Sequence, residues 1–261
     1  MRTCFSVALV ALVTAGASVA ADKFSATGGD IEITPILHSS VQVEHAGKVI
    51  HVDPWSLADL SKVKPADLIL VTDIPGHHLD VKAIQQLRKP GAPVVITASG
   101  KDQVPDGVVL ANGASATLAG VRVEAIAAYD LVPGAPDHPK GKANGYLITL
   151  GGARLYFAGV TQCVPEMLAL KSVDVAFLPM NIPPARMTPS EVADCVKKLR
   201  PKVVYLDHYN NDAANRLTNP NAKPQQLPGG LTTAQTLQAF KQALAGESGI
   251  EVRLPDWYPA R

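Results

Sequence analysis

The chain has 261 residues, 47% of them apolar, with a formal net charge of +1 and no long run of lysine or arginine. That apolar content supports a sizeable core, and near-neutral charge without a basic stretch sets aside nucleic acid and anionic membrane as partners. Three cysteines are too few for a small fold stapled by disulfides.

Met1-Arg2-Thr3-Cys4-Phe5 carries one positive charge, Val7 to Val13 is apolar, and small residues follow up to Ala20-Ala21. This is the pattern of a cleaved signal peptide, and its apolar run is too short to span a bilayer. The expectation is a leader over 1–21 and a single domain over 22–261. That domain would be periplasmic or secreted and free of the membrane after cleavage. Cys163 and Cys195 remain after export. An oxidising compartment permits a disulfide, but Cys195 shares a helical stripe with Val192, Val196 and Leu199 and reads as a buried small hydrophobe. Cys163 lies just past a strand.

Ile31 to Ile36, Val41 to Glu44 and Lys48 to Val52 are short, rich in Val and Ile, and separated by His38-Ser39-Ser40 and Ala46-Gly47, which predicts three consecutive strands. Asp67 to Thr72 is nearly continuous and apolar, as in a strand covered on both faces. Asp80 caps a helix from Val81 to Arg88 that Pro90-Gly91 ends. Pro93 to Thr97 is a further buried strand. Ser115 to Leu118 with Val121 to Ile126, and Gly145 to Leu150 with Arg154 to Phe157, flank glycine-containing turns as hairpins. A helix is expected from Pro165 to Leu170 and a strand from Val173 to Leu178. Thr188-Pro189-Ser190-Glu191 has the residues of a capping box before a helix that Pro201 closes. Lys202 to Leu206 is the next strand. The polar stretch from Asn210 to Gly230 reads as a surface excursion, a candidate lid, before a helix (Thr233 to Ala243) and a strand (Ile250 to Leu254). Hairpins alternating with strand–helix–strand units predict an α/β fold in layers, two sheets packed together with helices outside.

Four predicted strands end in polar residues: Ile36 before His38-Ser39-Ser40, Val52 before Asp53-Pro54-Trp55, Val71 before Asp73, His77 and His78, and Leu206 before Asp207-His208-Tyr209. Loops at strand ends are where such folds place their sites. If these ends converge, they form a cluster of imidazoles and carboxylates, the ligand types that suit zinc and related ions.

These stretches also resemble a known family. Leu37-His38-Ser39-Ser40, Lys48-Val49-Ile50-His51-Val52-Asp53-Pro54 and Asp67 to Thr72 look like the start of a metallo-β-lactamase fold hydrolase. The likeness continues through Gly145-Tyr146, Leu155 to Gly159, Asp174 to Pro179, Met187-Thr188-Pro189 and Val203 to Tyr209. It is nearest to the ascorbate-phosphate lactonase-like branch. The resemblance implies a four-layer αββα sandwich with metal at one edge. The family pattern Thr-His-x-His-x-Asp-His reads here Thr72-Asp73-Ile74-Pro75-Gly76-His77-His78, which keeps only the last histidine. The residue after Gly159, a bridging aspartate in the family, is Val160. The later family histidine matches His208. The loop after Ile126 lacks the expected histidine and offers Tyr129, Asp130 and the more distant His138, read here as solvated.

What the resemblance then implies is a reduced site for one ion, zinc or another divalent transition metal, held by His77, His78 and His208, with Asp73 as fourth ligand or as base. Asp53 is a second candidate base or the group that orients a ligating ring, and His38 lies at the rim to meet substrate. The activity would be hydrolysis of a small-molecule ester, lactone or phosphoester. The alternative is a binding protein that keeps the sandwich and has lost catalysis. A metal-free nucleophile, Cys163 or Ser39, has no supporting motif.

Overall fold

Alternating burial along short β-rich runs decides the architecture. In Ile31–Leu37 every second residue is buried, and in Leu68–Leu70 all three are, so one strand shows a face to solvent and the other is covered on both sides. The computed structural model describes residues 21–134, 136–180, 186–224 and 230–258. Except for Ala21, the expected leader lies outside the described residues. No helix among these is long and apolar enough to cross a membrane.

The first half builds one sheet from β1 (Asp22–Phe24), β2 (Ile31–Leu37), β3 (Ser40–His45), β4 (Lys48–Val52), β5 (Leu68–Leu70), β6 (Val94–Ile96) and β7 (Val108–Val109), in sequence order. The second half builds another from β8 (Ser115–Leu118), β9 (Val121–Ala128), β10 (Ala143–Leu150), β11 (Ala153–Phe157), β12 (Val175–Pro179), β13 (Val203–Asp207) and β14 (Glu251–Arg253), also in sequence order. Each sheet begins as an antiparallel meander and finishes in parallel strands. The change comes at β4–β5 in the first and at β11–β12 in the second.

Leu68 and Leu70 face the main core with Val123, Tyr146 and Ile148, whereas Ile69 and Val71 join Leu79, Ile84 and Val104 under α1 (Val81–Leu87). On the far side Val192, Ala193, Cys195 and Val196 of α3 (Pro189–Leu199) enter the main core, and α3 packs on α5 (Thr233–Ala243). The result is two mixed sheets flanked by helices, the αββα sandwich that the pattern predicts.

Local chemistry agrees with the elements. The Asp80 carboxylate accepts the N–H groups of Lys82 and Ala83, and Thr188 with Glu191 closes a capping box. Three findings differ from expectation. The excursion after Asn210 contains α4 (Asn211–Thr218), capped by the Asn210 side chain on the Ala213 N–H. Residues 225–229 of that excursion lie outside the described residues. The short strands β1 and β7 are additional. His51 of β4 is buried, with its Nε2 on the Lys64 carbonyl at 2.8 Å. Cys195 is buried as read, but it is disulfide-bonded to Cys163. The cysteines are 32 residues apart, and the short α2 (Pro165–Leu168) follows Cys163. The loop after β11 folds back onto α3, a tertiary approach that helical periodicity cannot register.

Candidate metal centre

The parallel strands β4, β5, β12 and β13 all end at one edge of the sandwich, and the polar strand-end residues meet there. Backbone bonds fasten the sheets together at this edge. Asn144 N–H donates to the Thr72 carbonyl at 2.9 Å, and His208 N–H donates to the His38 carbonyl at 3.3 Å. His38, Asp53 and His208 each take a left-handed backbone, with φ of 59°, 44° and 50°. Residues without glycine's freedom are uncommon there, and such outliers concentrate at functional sites. Gly159 also has a positive φ, 65°, and a Cβ at this position would lie 2.9 Å from the Thr72 Cβ and 3.0 Å from the Asn144 carbonyl. The two sheets approach closely enough at this point to require glycine.

One ligand atom from each of His38, His77 and His208 lies within 4.8 Å of the others. The His38 and His208 ring centroids are 3.9 Å apart, and those of His38 and His77 are 5.1 Å apart. The triad therefore differs from the expected His77, His78 and His208. His38 belongs to it and is 1% exposed, so it sits in the wall of the cleft and not at an open rim. His78 stands behind. Its Nδ1 meets Asp53 Oδ2 at 2.7 Å, and its ring stacks on His208 at 5.4 Å, with Nε2 buried and unpartnered.

Asp53 is fully engaged. It accepts the Thr72 N–H at 2.8 Å and the Thr72 hydroxyl at 2.5 Å as well as bonding His78. Asp73 is not among the three clustered groups. Its Oδ2 pairs with His138 Nδ1 at 2.9 Å, and its Oδ1 accepts the Ile74 N–H at 2.8 Å. His138 is thus a partly buried member of the cleft wall, not a solvated loop residue, because the loop after β9 folds back far enough to reach Asp73.

Electrostatics favour neutral imidazoles. Burial, with the fields of neighbouring histidines, holds His38 and His208 well below the usual histidine value and lowers His77 to about 3. Both ring nitrogens of His208 are buried and have no hydrogen-bond partner among the described residues. A neutral imidazole keeps one N–H and offers its other nitrogen, so one nitrogen from each of the three rings gives a donor set that fits one divalent transition-metal ion with room for water or substrate. His138 behaves differently. Burial works against its charge, but the bond and field of Asp73 outweigh that and raise it above the usual value. Burial likewise pushes Asp73 up, and the His138 bond outweighs it, so Asp73 lies below the usual carboxylate range.

The cleft has a volume of about 330 Å³, and Trp55, Val160, Arg186 and Asn215 line it along with the histidines. Val160 presents only hydrocarbon where the family pattern has an aspartate.

The family model for a β-lactamase superfamily domain matches residues 32–208. The chain belongs to this superfamily. A metal-dependent hydrolase of Thermococcus kodakarensis is 30% identical over 190 residues, which cover 66% of this superfamily member and 82% of the relative. A Parabacteroides distasonis crystal structure, named for a proposed metal-dependent hydrolase activity, superposes with a TM-score of 0.76 at 34% identity, over 92% of this chain and 99% of that one. A metallo hydrolase from Ignicoccus hospitalis, with a TM-score of 0.65 and 23% identity over 88% of this chain and 96% of its own, shares the fold.

Three contributors escape a reading of strand ends. Tyr258 places its hydroxyl 2.6 Å from His38 Nδ1 across 220 residues of sequence, and nothing local announces it. Arg186 follows the end of β12, a strand end whose loop the sequence reading leaves aside. Asn215 comes with the unforeseen α4.

Proposed function

We propose that the protein is an exported hydrolase of small esters, lactones or phosphoesters that uses one zinc ion held by His38, His77 and His208. The observation that carries this reading is the cluster itself: three imidazoles kept neutral by burial, with both nitrogens of His208 lacking a partner among the described residues. The superfamily membership supports the reaction class. The Cys163–Cys195 disulfide supports export, since such bonds persist in oxidising compartments. The leader pattern over 1–21, followed by one domain over 22–261, belongs to the same reading.

When bound, such an ion supplies Lewis acidity toward water and toward a carbonyl or phosphoryl oxygen. The chain's own residues do the rest. The Tyr258 hydroxyl occupies His38 Nδ1, leaving Nε2 as that ring's free nitrogen, and His78, fixed by Asp53, buttresses the face of His208. Asp73 orients His138, and this pair on the cleft wall accepts and returns the proton. Trp55 and Val160 keep the cleft partly dry.

The second reading, a binding protein without catalysis, draws on Val160, which leaves no bridging carboxylate for a second ion. Elemental analysis separates the two. After incubation with zinc and dialysis, the mature protein is expected to retain about one ion per chain, and His38→Ala/His208→Ala is expected to retain none. The loaded protein should hydrolyse members of an ester, lactone and phosphodiester panel. Protein that retains no zinc after this treatment and is inactive across that panel would refute the hydrolase.

A further inference from the structure

Arg186 lies in the cleft wall between two acids of unlike character. Its Nη1 donates to Asp130 Oδ2 at 2.7 Å, and its Nη2 pairs with Asp137 Oδ2, also at 2.7 Å. The Asp130 side chain is 2% exposed and is fixed a second time by the His138 N–H at 3.0 Å. The Asp137 side chain is 67% exposed. One carboxylate is therefore part of the framework, while the other sits on the guanidinium from solvent. An ion pair to so exposed an acid contributes little net stability and is readily exchanged.

The remaining charges sharpen the point. Asp130 neutralises Arg186, so Asp137 is the surplus charge in the wall. Its replacement by an external carboxylate leaves the charge count unchanged, and guanidinium takes carboxylate in a planar two-point contact. The cleft, about 330 Å³, runs from Arg186 to the three histidines and is closed on another side by Asn215 and Thr218 of α4. That volume is at the small end of ligand sites.

We propose that Arg186 anchors a carboxylate carried by the substrate, with Asp137 as its internal placeholder, so that the substrates are small molecules bearing a carboxylate beside the scissile bond. The choice of substrate rests on the hydrolase reading; the anchor does not.

Two experiments separate them. Glutarate is titrated calorimetrically into full-length mature protein freed of metal, with the chelator, itself a polycarboxylate, then removed. Glutarate should bind and neutral glutaramide should not. Asp137→Asn should tighten glutarate about fivefold, and Arg186→Gln should weaken it at least about tenfold. Equal binding of the diacid and the diamide, or no tightening in Asp137→Asn, overturns the anchor, and these arms stand even if Arg186→Gln fails to fold. Zinc-loaded protein is then given monomethyl and dimethyl glutarate. Preference for the anionic ester, lost in Arg186→Gln, is the expected outcome. Hydrolysis indifferent to charge defeats the anchor and keeps the hydrolase. Glutarate binding as described with neither ester cleaved leaves the anchor standing and counts against the hydrolase.

Discussion

Acid should destabilise the metal-free protein well above the carboxylate range, and the size of the effect follows from two rings. His51 is fully buried and lowered to about 4, chiefly by burial, and His77 is lowered to about 3 by burial and then by His78. In the unfolded chain both titrate near the ordinary histidine value, about 6.5. As pH falls below that value the unfolded chain binds two protons that the folded chain refuses. Stability is therefore greatest above about pH 6.5 and declines as pH falls toward the folded values. Each refused proton costs about 1.4 kcal/mol per pH unit, so the pair removes about 4 kcal/mol between pH 7 and pH 5. His38 and His208, held low by burial, add in the same sense. Asp207, raised well above the usual value by burial and by Asp53, opposes them, since its folded form keeps a proton that the unfolded form releases. His138, raised by Asp73, takes its proton first in the folded state and so adds a small opposing contribution around pH 6.5, which is complete once both states are protonated.

A loss of about 4 kcal/mol is a large part of the 5–15 kcal/mol that holds a typical domain. Urea unfolding of chelator-treated protein at pH 7, 6 and 5 measures it directly. His51→Gln separates the buried strand histidine from the cluster. It should recover about 2 kcal/mol of the difference between pH 7 and pH 5, because one refused proton disappears. Unfolding free energies equal within about 1 kcal/mol at pH 7 and 5, or an unaltered slope in His51→Gln, would refute the claim that burial keeps these rings neutral.

Breaking the disulfide is the next test. Closing a loop between cysteines 32 apart is worth about 4 kcal/mol in the chain-entropy account, so Cys163→Ala/Cys195→Ala should unfold at distinctly lower urea, and a change below about 1 kcal/mol would contradict it. Asp53→Ala removes the acceptor of the Thr72 N–H, the Thr72 hydroxyl and His78 Nδ1 at one stroke. A loss of about 3–5 kcal/mol is expected in thermal or urea melts, along with weaker zinc retention, and an unchanged melt would show that His78 needs no carboxylate.

The sandwich was legible because its signals are local. Asp80 and the Thr188 capping box stand where the helices begin, and glycine turns stand between the hairpins. The α4 helix was not, since Asn211–Thr218 is short and mostly polar and fully buries only Ala214; the readable mark was Asn210 as its cap. Of the site, the strand ends carrying His38, Asp53, Asp73, His77, His78 and His208 were legible as a set. The division of labour among them was not. His38 has Nδ1 claimed by the Tyr258 hydroxyl and His78 by Asp53, and where each ring then stands is set by these partners, both far away in sequence. A row of letters shows the imidazoles but not the side on which each is already spoken for.

The same edge bears on the choice between hydrolase and lapsed binder. Three non-glycine residues there hold left-handed backbones, and each such conformation costs roughly 1–2 kcal/mol. His208 adds two buried nitrogens with no partner, at roughly 1–3 kcal/mol for each unsatisfied group. A fold with no ligand for these rings would gain stability by relaxing the turns or by exchanging His208 for an apolar side chain. The Cys163–Cys195 bond and the fastened sheet edge offset such costs without removing them. Strain and orphaned nitrogens in one small cleft are understandable when an ion binds there and takes up one of the His208 nitrogens, and that argues for the metal-dependent reading over the relic.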